Sequence, residues 1–305
     1  MTQRRLSKSD LLGWLVLLGL TGLLFHRTLG GLFDRWWNDP SYGHGLLVPV
    51  AAIYFFHEAL KRNRDIAVGG SLWGVVFLAL SIGLLFAGRL GNMLFVQAVA
   101  FIVTLLALSL LAGGWSFLRV AALPVAYLIF MCPLPSGIYD SVSAQLRLFA
   151  SGVSTILLQA TGVPATSAGN LIFITGKTLS VDDACSGIRS LFGILATATA
   201  FAFVVPGGAL RKSVFVISAA PIAVFTNILR VTGTGLLQHY GYTGLADGFY
   251  HYLEGWVFYL VAMVLLFVEY VVLKTVFPIV TEKDKADGDE HGADEPGNPG
   301  EEAAK

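Results

Sequence analysis

The chain has 305 residues and a formal net charge of zero; 55% of its residues are hydrophobic and only 13% are charged. A soluble domain carries about 25% charged residues, so this composition excludes an ordinary soluble protein. Its mean hydropathy of +0.70 and several long apolar runs indicate an all-α membrane protein with multiple spans. The zero net charge hides an uneven distribution, because the segment from Thr281 onward holds nine acidic residues and only three lysines.

Apolar runs predict eight transmembrane helices. The second and fifth are short enough to be tilted or broken. In chain order, the predicted spans cover residues 11–32, 45–60, 71–88, 93–112, 115–130, 186–205, 214–237 and 251–276.

Basic residues in the connecting segments predict the orientation of these spans. In an eight-span topology they all fall on one side, and the positive-inside rule makes that side cytoplasmic. We therefore expect a multi-pass membrane protein with both termini in the cytoplasm. The residues counted are Arg4, Arg5, Lys8, Lys61, Arg62, Arg64, Arg119, Arg211, Lys212 and Lys274.

The segment 139–159 could be a ninth span, but its pattern favours a helix lying in the membrane interface on the outer side. Five apolar residues fall on one helical face and four polar residues on the other. A ninth span would also move Arg211, Lys212 and Lys274 to the outside. The apolar face comprises Val142, Leu146, Phe149, Val153 and Ile156, and the polar face Ser143, Arg147, Ser151 and Ser154.

A small β-hairpin is predicted after this helix, because two β-prone runs, residues 171–174 and 178–181, flank Gly176. The hairpin leads directly to Cys185. Residues 1–280 are expected to form one integral membrane domain. Residues 281–305 are acidic and almost free of apolar residues, so we expect a disordered cytoplasmic tail.

Three potentially reactive residues meet at the outer face in this topology. Cys185 begins the sixth span, Arg230 lies near the outer end of the seventh, and His251 begins the eighth. Each has an ordinary structural interpretation: a packing cysteine, a snorkelling arginine and an interfacial histidine. Their common membrane depth favours a site, since ionisable groups in membrane segments are functional candidates by default.

The chemistry of these three side chains is coherent. A thiolate is the nucleophilic form of cysteine, and the start of a helix favours it. His251 could take the thiol proton and pass it to a leaving amine, while Arg230 could stabilise the thiolate or an oxyanion. Asp182 and Asp183 would raise the thiol pKa, unless they cap the helix, orient His251 or pair with Arg189. Whether Arg189 supports the site or only binds Asp183 stays open at this point.

From about Trp37 to Gly255 the sequence resembles the exosortase/archaeosortase family of integral membrane cysteine transpeptidases. "WWNDPSYGHGLLVPVAAIYF" is similar to an early family motif, with Gly43 where serine is usual, and "CPLPSGIYD" to a later one. "DDACSGIRSL" carries the implied nucleophile Cys185 with Ser186 and Gly187, and has Asp183 where glutamate is common. "NILR" and "HYLEG" supply Arg230 and His251, and a histidine at this place resembles bacterial members. The resemblance thus implies the bacterial inner membrane, with the active site on its outer, periplasmic face.

The resemblance implies a protein-sorting cysteine protease and transpeptidase, linked to export of extracellular polysaccharide or biofilm. Its substrates would be secreted proteins whose C-terminal tail has a short motif, a membrane helix and a basic cluster, and a thioester would carry them to an unknown acceptor. Membrane lipid is the other expected partner. No nucleic acid, cofactor or metal is expected.

Two other interpretations remain from the residues alone. The chain could be a membrane transporter, or a lipid-binding or assembly scaffold in which Cys185 is inert; the sequence shows no internal repeat of the kind many transporters have. His44, beside Tyr42 in the first outer loop, is a weaker site candidate: it could line a substrate groove or belong to the interfacial aromatic belt with Trp36 and Trp37.

Overall fold

The computed structural model describes residues 8–63, 69–181, 187–242 and 249–276. Its helices are long and predominantly apolar, as the composition predicts, and a small sheet interrupts them. The helices are α1 (Lys8–Asn38), α2 (Leu47–Arg62), α3 (Trp73–Leu90), α4 (Leu94–Tyr127), α5 (Ser136–Ala160), α6 (Ile188–Val204), α7 (Ala209–His239) and α8 (Phe249–Val276), and short 3-10 turns cover Gly43–Leu46 and Leu128–Met131.

Helix α4 doubles back at Gly114 and supplies two of the predicted spans. Gly114 has non-helical torsions, φ 66° and ψ −159°, in a region that favours glycine. Ala98 and Tyr127 share one buried cluster, although a straight helix would separate them by about 43 Å. The chain therefore turns between Gly113 and Trp115, where the sequence predicts the boundary between the fourth and fifth spans.

Contacts between distant helices define two ends of the bundle. At one end, which we call the sheet end, the Trp36 indole donates to the Met131 carbonyl oxygen at 2.9 Å and joins the last turn of α1 to the end of the α4 region. At the other end, which we call the opposite end, Lys212 at the start of α7 lies close enough to Arg62 for the two positive charges to interact. Arg119, just after the reversal, and Lys274, in the last turn of α8, belong to this opposite end as well.

The sheet end also carries arginines, which the charge count did not consider. Arg35 pairs with Asp39 at 3.2 Å, and Arg89 donates to the Leu24 carbonyl oxygen at 2.7 Å. Both side chains have a bonding partner nearby. Basic residues are therefore more frequent at the opposite end, but they also occur at the sheet end.

Seven helical segments of the described chain are long and apolar enough to cross a membrane. The longest of them, Leu94–Met131, is the one that reverses at Gly114, so it accounts for two crossings. Helix α6 is apolar but has only 17 residues, and α5 meets the length and hydropathy of a span. Whether α5 crosses the membrane or lies at its surface determines whether these helices match the eight predicted spans.

Both ends of α5 contact the sheet end of the bundle. Near its start, the Tyr139 ring lies 6.5 Å from that of Tyr42, in the connection between α1 and α2. Near its other end, Ser154 Oγ donates to the Ile228 carbonyl oxygen of α7 at 3.3 Å, beside the start of α6. A crossing of 25 residues would carry the chain about 37 Å to the opposite end. These contacts agree with the predicted interfacial helix. With α5 left out, α4 counted twice and α6 included, the described residues supply eight candidate crossings.

The polar face of α5 is buried against protein, whereas an interfacial helix is expected to turn its polar face to water. Ser143, Ser151 and Ser154 are at most 1% exposed, whereas Phe149 and Ile156 are 55% and 64% exposed. The serines pack against protein because small residues let neighbouring backbones approach, and the apolar face points away from the bundle. The predicted division of α5 into an apolar and a polar face is correct, but the polar face packs against protein.

The predicted hairpin is part of a three-stranded antiparallel sheet, β1 (Ala165–Ala168), β2 (Leu171–Ile174) and β3 (Lys177–Ser180), in that spatial order. Strand β1 was not predicted. One face of the sheet is buried on α5 and α7, and this cluster contains Ile172, Ile174, Val181, Leu158 and Val231. The sheet is therefore fixed to α7 near Arg230.

Candidate functional site

The segment that contains Cys185 enters the site from β3. Val181, directly after β3, is 1% exposed and belongs to the same buried cluster as Val231 of α7. Its backbone N–H donates to the Asn170 carbonyl oxygen at 2.9 Å, and the Asn170 side chain donates back to the Val181 carbonyl oxygen at 3.3 Å. The chain is thus anchored at the point where it leaves the sheet.

The same segment is anchored again at Gly187, the predicted supporting residue that precedes α6. Gly187 has a φ of 79°, and a Cβ atom there would lie 3.0 Å from the side-chain carbon of Asn227 on α7. A side chain would both strain the backbone and press on Asn227. Glycine at this position allows the start of α6 to approach α7 closely.

Arg230 lies between these two anchors on α7. It follows Asn227 by three residues, and such residues share a helix face, while Val231 is its immediate neighbour. The Arg230 side chain is half-buried, and its carbonyl oxygen accepts a hydrogen bond from Thr234 Oγ at 3.0 Å. The five residues 182–186, which include Asp182, Asp183, Cys185 and Ser186, lie outside the described residues, but the chain on either side of them is held at the level of Arg230.

Cys185 precedes Gly187 by two residues in the sequence. Gly187 itself contacts Asn227, one turn before Arg230.

His251 lies in the first turns of α8, and its side chain is outside the described residues. Seven residues later, Phe258 approaches Gly233 of α7, where a Cβ atom would be 3.8 Å from its ring. The next residue, Tyr259, has its hydroxyl 2.8 Å from Thr197 Oγ of α6. The helix that carries His251 therefore packs on both α6 and α7, with its beginning toward the sheet end.

Arg189 has a partner that the sequence did not indicate. Its Nε donates to Ser41 Oγ at 3.1 Å across 148 positions of sequence. Ser41 is only 8% exposed, and its backbone N–H donates to Asp39 Oδ1 at 2.9 Å. The first turn of α6 is therefore tied to the connection between α1 and α2, four residues after Cys185.

That connection is itself fixed to the end of the α4 region. His44 Nε2 lies 3.1 Å from the Phe130 carbonyl oxygen, and the Trp36 indole bonds the next carbonyl, that of Met131. Gly45 lies against the Trp36 ring. His44 is thus half-buried and bonded to backbone, which favours its structural interpretation over the lining of a groove.

Burial also affects Tyr42 in this connection. It raises the pKa of the Tyr42 hydroxyl, and the neighbouring Tyr139 acts in the same direction. The hydroxyl is therefore neutral throughout the physiological pH range.

Cys132 is a poor nucleophile. It is 5% exposed, its Sγ lies 3.6 Å from the Leu128 carbonyl oxygen, and burial raises its pKa to about 12. A thiol with such a pKa is almost entirely protonated at neutral pH. Cys132 is therefore a packing residue.

Among the residues that the structure describes, no cluster of three His, Cys, Asp or Glu side chains could hold a metal ion. Three residues of this region escaped the sequence analysis as individual contributors: Trp36, Ser41 and Asn227. All three stand inside motifs that were recognised, but the motifs did not indicate which residues they contact.

Residues 36–268 match the family described as transmembrane exosortase (Exosortase_EpsH). The chain belongs to the transmembrane exosortase family. The matched region begins at Trp36 and covers the Arg189–Ser41 contact, the sheet, Arg230 and most of α8. No curated protein matches the chain, and no solved structure does. Exosortases are generally membrane-embedded cysteine transpeptidases.

Proposed function

We propose that this exosortase is a protein-sorting cysteine protease and transpeptidase whose nucleophile is Cys185. Its substrates would be secreted proteins that end in a sorting motif, a membrane helix and a basic cluster, and the process would serve extracellular polysaccharide or biofilm export. One observation supports this assignment beyond the family match. The short segment containing Cys185 is anchored to α7 at Val181 and Gly187, with Arg230 between the anchors.

The reaction would proceed in two balanced steps. The Cys185 thiolate attacks the carbonyl carbon of the scissile peptide bond, the C–N bond breaks, and a thioester forms. His251 takes the thiol proton and delivers it to the departing amine. An acceptor amine, or water, then attacks the thioester carbonyl and gives a proton to His251, the C–S bond breaks, and the sulfur leaves as a thiolate that regains its proton from His251.

Two features would stabilise negative charge in these steps. The beginning of α6 directs backbone N–H groups and partial positive charge toward the preceding residues, which lowers the pKa of a thiol placed there. The guanidinium of Arg230 would stabilise the thiolate or the oxyanion of the tetrahedral intermediate. We assign Asp183, Ser186, Gly187 and Arg189 to support of the site, and Gly187 and Arg189 would act through the contacts that hold α6.

The membrane orientation follows from the same proposal. Most of the basic residues counted at the sequence level lie at the opposite end, so the positive-inside rule puts the sheet end outside the cytoplasm. In a bacterial inner membrane the site would face the periplasm, where a secreted substrate arrives.

The decisive experiment compares two cysteine variants in cells that contain a secreted reporter with a C-terminal sorting tail. Cys185→Ala should abolish shortening of the reporter, as measured by immunoblot, because no nucleophile remains. Cys132→Ala is the matched control and should process the reporter normally. Normal processing by Cys185→Ala would overturn the assignment and favour a transporter or a scaffold.

A further inference from the structure

Strand β3 has an outer edge whose hydrogen-bonding groups point away from the sheet. The backbone N–H of Val181 donates to the Asn170 carbonyl oxygen, which fixes the ladder of the β2–β3 pair. Hydrogen-bonded and non-hydrogen-bonded pairs alternate in an antiparallel ladder, so Thr178, which is opposite Phe173, forms a non-hydrogen-bonded pair. The N–H and C=O of Thr178 are therefore directed outward.

The two edges of the sheet differ. Along β1, the outward carbonyl oxygen of Ala165 accepts a hydrogen bond from Gln159 Nε2 of α5 at 2.8 Å. Ser151 Oγ of the same helix donates to the carbonyl oxygen of Gly169, directly after β1, at 2.6 Å. Along β3, Thr178 is exposed, and no backbone partner for its outward groups occurs among the described residues. The β1 edge is covered by α5, whereas the β3 edge is accessible at Thr178.

The direction of β3 links its edge to the candidate nucleophile. At its start, Lys177 Nζ donates to the carbonyl oxygen of Gln238 near the end of α7, at 3.1 Å. Just after its end, Val181 packs in the cluster of Val231. Strand β3 thus runs antiparallel to α7 toward Arg230, and the chain reaches Cys185 four residues after Val181.

The geometry points to the outer edge of β3 as the binding site for the sorting motif of the substrate, held in extended conformation as a fourth strand. This inference rests on the proposed function and adds how the substrate is held. Main-chain hydrogen bonds to an exposed strand edge are an established way to bind extended peptides. An extended peptide also presents its peptide bonds to a nucleophile, and a strand beside β3 would lead toward the place where the chain carries Cys185.

A pair of proline variants tests the role of the edge in processing of the tailed reporter. Thr178→Pro removes an outward N–H without touching the β2–β3 ladder, and proline is tolerated on edge strands. Loss of one substrate hydrogen bond should lower kcat/KM about 3- to 10-fold, mainly through KM. Ser167→Pro removes the equivalent outward N–H from β1 and should change kcat/KM less than about twofold. Thr178→Val keeps the N–H and should behave as the parent chain.

Disulfide cross-linking tests the same contact without relying on activity, and it decides the matter if a proline variant misfolds. Thr178→Cys is placed in a full-length chain that also carries Cys132→Ala and Cys185→Ala, and single cysteines are scanned along the reporter's motif. A paired strand brings one reporter position opposite Thr178 within disulfide range. Cross-linking should peak there, with weaker products two positions away and none at odd spacings.

The matched control is Thr166→Cys, which lies opposite Phe173 on β1 and therefore in the same row and on the same sheet face as Thr178. A strand paired to β3 would lie about 14 Å from β1, so Thr166→Cys should give no cross-link. Equal cross-linking from both edges, products without a period of two, or dimers of the chain joined through Thr178→Cys would overturn the inference. If Cys185→Ala still processes the reporter, the proposed function fails; if processing needs Cys185 but ignores the β3 edge, only this inference fails.

Discussion

The two ends of the bundle are held together by different kinds of contact. Toward the opposite end, aromatic rings of different helices pack on one another: Phe55 and Phe203 stack at 4.5 Å, and Phe201 meets Tyr270 edge-on at 5.2 Å. At the sheet end, polar side chains bond distant segments, as in the bond of Trp36 to Met131 and that of Arg189 to Ser41.

This difference shows what each end has to do. Aromatic pairs contribute about 0.5–1.5 kcal/mol each beyond burial and permit some sliding, which is sufficient to hold helices together. Hydrogen bonds fix distance and angle as well. In the proposed site, a thiol, a guanidinium and an imidazole from separate parts of the chain would have to keep a fixed geometry to act together. Directional bonds concentrated at the sheet end are therefore the arrangement expected of a catalytic end.

The largest expected effect concerns the reactivity of the two thiols. In a chain with only Cys132, burial raises the pKa to about 12, so about one molecule in ten thousand carries a thiolate at pH 8. In a chain with only Cys185, an ordinary pKa of about 8.5 or lower gives a thiolate in at least about one in four. A charged, membrane-impermeant maleimide should label Cys185 more than about a thousandfold faster.

The pH dependence of labelling sharpens this prediction. The raised pKa means that the Cys132 thiol stays protonated as pH increases, so its labelling rate should rise about tenfold per pH unit toward pH 12. Labelling of Cys185 should level off above its own, lower pKa. Equally slow labelling of both thiols would show that Cys185 is inert, as in a scaffold.

The next largest effect compares two arginines on one helix. Arg230→Lys at the sheet end should lower the processing rate at least about 100-fold, because a point ammonium does not reproduce a planar guanidinium. Arg211→Lys at the opposite end is the control: Arg211 is 6% exposed, so its replacement should lower the midpoint of thermal unfolding but leave the rate per folded molecule unchanged. A fully active Arg230→Lys enzyme would show that Arg230 is only a snorkelling side chain.

Much of the fold could be predicted because membrane helices are strong local signals. Long apolar runs predicted the helices, and the gap at 113–114 between the fourth and fifth predicted spans coincides with the reversal of α4. Strand β2 and most of β3 follow from β-prone residues around Gly176. Strand β1 escaped because its sequence, Ala-Thr-Ser-Ala, has little intrinsic β-propensity; it is held by pairing with β2 and by Gln159. The serine face of α5 was visible as a pattern, but periodicity alone does not reveal what covers a face.

The sequence motifs predicted the residues of the candidate site, but not the contacts that hold those residues in place. The motif around Cys185 names Gly187 and Arg189 but not the residues that they contact. Asn227 meets Gly187 through a close backbone approach, and Ser41 meets Arg189 across 148 positions. Such pairs have no shared periodicity or spacing, because tertiary folding alone brings them together.

The smallest expected effect tests whether the Arg189–Ser41 bond positions the site. Ser41→Ala removes the hydroxyl that accepts from Arg189 Nε and should lower kcat about 3- to 10-fold with little change in KM, since a typical hydrogen bond contributes about 0.5–1.5 kcal/mol. Processing rates at saturating and limiting reporter separate the two constants.

Ser41→Thr keeps the hydroxyl and should restore kcat, while Ser141→Ala, whose hydroxyl only bonds the Gly137 carbonyl of its own helix, should have no effect. Combined with Arg189→Ala, Ser41→Ala should cost little more than Arg189→Ala alone, because both changes remove the same bond. If the two losses simply multiply, Arg189 acts independently of Ser41. The sheet end would then owe its geometry to the α7 anchors at Val181 and Gly187, and the bond to the α1–α2 connection would be only a packing contact.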